Sequence, residues 1–150
     1  MAEPHDHALH PVLGELRWDE EGSAWTGSFA LAEGRVVELS ICSDGGDRRG
    51  SLEPAAGLFT WAIENQSRLL DLALRAELLV LYNDTWRAQD ASPLTAEELA
   101  GRLQWGLLEL SDSDPVPVRF VYQAGSLFGH RAVVVEVDTE GQYHDIDLWG

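Results

Sequence analysis

Hydrophobic and polar positions change period along this chain of 150 residues. From Leu13 to Asp19 they alternate, with Leu13, Glu15 and Arg17 on one side and Gly14, Leu16 and Trp18 on the other. After Glu20-Glu21-Gly22 the alternation resumes from Ser23 to Leu31, setting Trp25, Gly27, Phe29 and Leu31 together. It resumes again after Glu33-Gly34, over Arg35–Cys42, where Val37, Leu39 and Ile41 share a face. A period of two predicts strands, and the short acidic turns containing Gly predict a meander of antiparallel hairpins.

Ser43 to Gly50 is a polar connection with three glycines and no apolar residue. Beyond it the period becomes helical. Leu58, Phe59, Ala62 and Ile63 are followed by Leu70, Ala73, Leu74, Glu77, Leu78, Leu81 and Tyr82, stepping by three or four. Arg68, Asp71 and Arg75 fall on the opposite face, and Pro54 suits a first helical turn. The pattern leaves open one helix over 52–87 or two joined near Asn65–Ser67. Asp90-Ala91-Ser92-Pro93 breaks the run. Thr95 with Glu98 three residues on is a capping-box pattern that opens a short helix to about Leu103. Four more strands follow, at Trp105–Leu110, Val116–Tyr122, Arg131–Asp138 and Tyr143–Leu148.

Strands at both ends around a helical middle predict an α+β fold. The expectation is a flexible arm over residues 1–9 and one domain over 10–150. That domain is a mainly antiparallel sheet of six to seven strands with a central helical block packed on one face.

Charge then narrows the partner. There are 26 acidic side chains against 10 basic ones, all Arg, for a formal net charge of −16 and a pI near 4.4. Such a field repels nucleic acid and anionic lipid and speeds encounter with a basic protein. Without Lys there is no Schiff-base chemistry. Cys42 is the sole cysteine, so no intrachain disulfide forms, and it reads as a small core residue near a strand end. The N-terminus lacks the basic and apolar regions of a signal peptide, and no apolar run approaches a membrane span; the expected location is cytoplasmic.

The order of short motifs is informative in its turn. His10-Pro11-Val12-Leu13-Gly14-Glu15-Leu16 leads into Trp25-Thr26-Gly27. A helix ends in Leu81-Tyr82-Asn83-Asp84-Thr85-Trp86, and Leu94-Thr95-Ala96-Glu97-Glu98-Leu99 follows. Leu127-Phe128-Gly129-His130 precedes a Val-rich strand, and the chain closes on Leu148-Trp149-Gly150. From about His10 to Gly150 this resembles the bacterial domain-of-unknown-function 2262 family. The resemblance brings no activity with it. By analogy it implies a small acidic immunity protein of the kind that accompanies bacterial toxins, an argument from likeness rather than from a site.

The residues themselves offer several chemistries. His5, Asp6, His7 and His10 cluster at the N-terminus, but a zinc site needs about four ligands held in place, and none is expected on a loose arm. His130 would be a general base or a histidine fixing the start of a strand. Asn83 and Trp86, with His130, would form a polar pocket, or simply end the helix and fill the core. Six tryptophans are too dispersed for a base-stacking platform. No nucleotide-binding glycine loop or nucleophile elbow is present. Acidic turns are the stronger signal: Asp19, Glu20 and Glu21, Asp44 and Asp47, Asp112 and Asp114, with Asp138 and Glu140. The expected function is an acidic cytoplasmic protein that binds a basic protein, a toxin foremost, with no cofactor, nucleic acid or membrane and no catalysis. The alternatives are an enzyme centred on His130 with Asn83, Asp145 or Asp147, and a structural homo-oligomer.

Overall fold

The computed structural model describes residues 7–31, 34–43, 48–111 and 115–150. They form a mixed α+β fold, an eight-stranded sheet in the order β1-β2-β3-β4-β5-β6-β7-β8 with one long helix. The strands are β1 (His7–His10), β2 (Gly14–Asp19), β3 (Ala24–Ala30), β4 (Val36–Cys42), β5 (Gln104–Ser111), β6 (Val118–Gln123), β7 (Ala132–Val137) and β8 (Tyr143–Trp149). Every neighbouring pair is antiparallel except β4 and β5, which run parallel. Parallel neighbours need a long crossover, and the helical middle of the chain supplies it.

One expectation is corrected and one open alternative is decided. The sheet has eight strands rather than six or seven, because a strand over His7–His10, most of it within the expected arm, pairs with β2. Its inward residue is Ala8, and its outward Leu9 is 84% exposed, so the strand lacks the apolar signature of its neighbours. The helix also runs unbroken through Asn65–Ser67. A 3₁₀ turn (Arg49–Ser51) leads into α1 (Leu52–Ala73), then a π-helical turn (Leu74–Leu78), a short α2 (Leu79–Leu81) and a second π-turn (Tyr82–Trp86). Asn65 stays within the helix by donating to the carbonyl of Trp61. None of the helices among the described residues is long and apolar enough to cross a membrane.

Helix α3 (Ala96–Gly101) starts as its sequence predicts. The Thr95 hydroxyl accepts from the Glu98 amide, and the Glu98 carboxylate accepts from the Thr95 amide. These two bonds hold the Glu98 carboxyl below the usual carboxylate range, since both favour its charged form.

One face of the sheet packs against α1, which touches β5, β6, β7 and β8. Alternate strand residues point into this layer: Leu16, Trp25, Val37, Leu39, Ile41, Leu108, Leu110, Phe120, Val133 and Val135 are all buried. They meet Leu69, Ala73, Leu74 and Leu78 of the helical run, also buried. Edge-to-face aromatic contacts tie the layers together, with Phe29 between Phe59 (5.0 Å) and Trp105 (5.5 Å). Tyr122 lies in the same layer, its hydroxyl accepting from Gln66 at 2.6 Å. Burial pushes that hydroxyl well above the ordinary phenol range.

Candidate interaction surface

The pairing registers define one end of the sheet. Asp19 is opposite Ala24, Ala24 opposite Cys42, Cys42 beside Ser111, and on the far half Leu110, Val118, Val137 and Tyr143 continue the line. The β2–β3 and β7–β8 turns, both acidic, therefore leave the sheet at the same end. Asp19, Glu20 and Glu21 form the exposed β2–β3 tip, and Asp138 and Glu140 form the β7–β8 tip. Asp44, Asp47, Asp112 and Asp114, also candidates, lie outside the described residues.

At this end some carboxylates are already engaged. Asp19 accepts from the Glu21 amide and Asp138 from the amides of Glu140 and Gln142, so each builds its own turn. Glu20 pairs with Arg48 at 2.8 Å, and the Arg48 guanidinium stacks 4.4 Å from the Trp18 ring. The side chains of Glu21 and Glu140 stay exposed. Between α1 and the β7–β8 turn lies a hollow of about 250 Å³, with Leu58, Trp61, Val118 and Val137 in its wall and Asp138 and Glu140 at its margin. Gly141 makes room for it in the left-handed region (φ +76°), where a Cβ would stand 3.1 Å from the Trp61 ring.

The face turned away from α1 carries a second arrangement. Direct cross-strand partners form one row over all eight strands: His7, Arg17, Thr26, Ser40, Glu109, Arg119, Glu136 and Asp145. At its centre Arg119 bridges Glu109 (3.2 Å) and Glu136 (3.0 Å), all three largely shielded from solvent. Next to this row, over β2 to β4, is a broad concavity of about 540 Å³ lined by Glu15, Arg17, Thr26, Gly27, Ser28 and Glu38.

Of the predicted polar pocket, Asn83 and Trp86 have partners of their own. Asn83 faces Leu94, donating to its carbonyl and accepting from its amide, both at 2.9 Å. Trp86 packs edge-on against Phe128 at 6.1 Å, with the Arg131 guanidinium 5.5 Å from its ring. His130 follows Gly129 with φ +65° and is exposed. It lines none of the cavities described here. Asp147 accepts from the Trp149 indole N–H at 3.0 Å and Asp145 from the Ile146 amide at 2.8 Å.

The N-terminal histidines divide, His5 and Asp6 lying outside the described residues. The His10 Nδ1 accepts from the amides of Val12 and Leu13, which leaves the proton on Nε2, 3.0 Å from Glu53. It thus shapes the β1–β2 turn and ties it to α1. Among the described residues no group of three or more His, Cys, Asp or Glu is arranged to hold a metal. The cross-face row is not legible in the sequence, because the outward polar positions of each strand are visible there but their alignment depends on register.

A family model described as an uncharacterized protein conserved in bacteria (DUF2262) matches residues 10–148. No curated protein and no solved structure matches the chain.

Proposed function

The chain belongs to this uncharacterized bacterial family (DUF2262), and from that premise we propose that it is an acidic binding protein of the immunity type, acting in the cytoplasm to neutralise a basic bacterial toxin by covering its cationic surface. The observation that carries the reading is the gathering of acidic turns at one end of the sheet, on a chain of net charge −16. Exposed carboxylates held on a folded surface steer a basic partner into contact and are screened by salt. The enzyme alternative has less support, since Asn83 is engaged by Leu94, and Asp145 and Asp147 accept from their own strand.

Co-expression tests the proposal. The product of a gene adjacent to this one should arrest growth when expressed alone and fail to do so beside this chain. Arrest that persists with the chain present removes the immunity reading. For the purified pair, the association rate should fall by about tenfold or more between low and physiological salt, in line with steered encounter. A rate indifferent to salt would remove the electrostatic part of the proposal.

A further inference from the structure

The acidic end attracts, but three of its described carboxylates are already engaged, leaving Glu21 and Glu140. Asp19 and Asp138 are bound to their own turns and Glu20 to Arg48. Glu15 and Glu38, in contrast, are exposed and have no hydrogen-bond or ion-pair partner among the described residues. They line the concavity over β2–β4 together with the Thr26 and Ser28 hydroxyls. Arg17, in the same lining, is the one cation there among the described residues, so the two carboxylates outweigh it.

Apolar side chains flank this hollow on the same face. Leu9 is the direct cross-strand partner of Glu15 and is 84% exposed. Val36, two residues before Glu38 on β4, is 58% exposed. Exposed aliphatics beside unpaired carboxylates make a surface complementary to a cation carried among apolar groups. The hollow also adjoins the steering charges. Arg17 is two residues behind Asp19 and Glu15 four, which at the rise of a strand is about 7–13 Å. A partner drawn to the acidic end would lap onto this face.

We infer that the outward face of β1–β4 is the docking surface for the basic protein partner, with an Arg or Lys side chain of that partner seated between Glu15 and Glu38 and its apolar neighbours against Leu9 and Val36. This rests on the proposed binding function and assigns it a surface. The guanidinium or ammonium group would donate to both carboxylates and to the hydroxyl oxygens of Thr26 and Ser28, and charge-assisted bonds of this kind are roughly twice as strong as neutral ones.

The test uses the full chain and a nonapeptide alternating Arg and Val, titrated calorimetrically at low ionic strength. Two double variants carry the same net charge: Glu15→Gln with Glu38→Gln in the hollow, and Glu64→Gln with Asp90→Asn at exposed positions elsewhere. All four sites are exposed, so both variants should keep the wild-type circular dichroism and melting temperature. The hollow variant should lose about tenfold in affinity and the control less than twofold, because equal net charge equalises the long-range field. Equal losses in the two variants would overturn the docking assignment while leaving an acidic binding protein standing. Failure of the wild-type chain to bind the peptide at low salt would overturn both. A concentration-dependent dimer of the wild-type chain, abolished by the hollow pair, would give the face to a second copy and overturn the partner named here.

Discussion

Replacing Asn83 with Ala separates a structural from a functional reading of the helix end. The Asn83 amide makes two hydrogen bonds of 2.9 Å to the backbone of Leu94, one in each direction. They pin the connection between the second π-turn and α3, where Arg87 also donates to the carbonyls of Asn83 and Ala91. Truncation leaves the Leu94 amide and carbonyl without those partners in a half-buried position. At about 1 kcal/mol net for each bond, and more where a group is left unpaired, the cost is about 2–3 kcal/mol. For a domain of this size each kcal/mol lowers the melting temperature by roughly 2–4 °C, so a drop of about 5–10 °C is expected. Differential scanning calorimetry measures it, with urea unfolding as a second readout. Asn83→Asp, which keeps the acceptor and loses the donor, should fall between the variant and wild type. The reasoning is refuted if Asn83→Ala melts with wild type yet loses partner binding, for then the amide serves a ligand and not Leu94.

Three other outcomes follow from packing and ionisation. Gly27→Ala places a Cβ 2.9 Å from both the Glu15 carbonyl oxygen and Leu16 Cδ2, so β2 must move, and a loss of about 1–3 kcal/mol is expected in urea unfolding. On β8, an edge strand, the Ile146 and Leu148 amides donate to Asp145 and Asp147. Asp145→Ala with Asp147→Ala should expose them for strand pairing, giving an apparent mass that rises with concentration in light scattering where the wild type is constant. Finally, Tyr122 and Tyr143 have raised phenol pKa values, through burial in both and, for Tyr143, also through its bond to Glu77. A raised folded value means stability complete below about pH 10 and lost as pH rises further. Absorbance at 295 nm should show these two phenols ionising with unfolding, and the Tyr122→Phe, Tyr143→Phe double variant should show a shallower loss above pH 10.

Strong local periodicity made seven of the strands legible, along with the Thr95–Glu98 cap. β1 was hidden because four residues with Ala inward and Leu outward invert the expected pattern. The parallel β4–β5 seam was hidden because it depends on where a long crossover returns the chain, and both edges of that seam read equally well as antiparallel strands. The acidic turns were legible as turns, whereas their meeting at one end required the register. Asn83 was legible as a polar residue near a helix terminus, but its partner lies eleven residues on, across a break that carries no periodic signal. Glu15 and Glu38 looked like ordinary outward positions, and only the side-by-side placement of β2, β3 and β4 made them neighbours.

The two π-turns give the helical run a property best described as phase. Leu74, Leu78, Tyr82 and Trp86 recur every four residues. At about 100° per residue a step of four overshoots a full α-helical turn by about 40°, so three steps would carry Trp86 about 120° around the axis from Leu74. A π-turn closes from i to i+5 and takes up one residue more than an α-turn. With π-turns at Leu74–Leu78 and Tyr82–Trp86, the drift is cancelled and the four side chains stay on the side that meets the sheet and Phe128. The spacing in the sequence thus records a correction of phase rather than an irregularity. Deleting one residue from either turn would therefore remove the residue that the wider turn takes up and leave a plainer helix with the side chains after it close to their present phase, whereas an α-helical run that kept every residue would carry Trp86 away from Phe128.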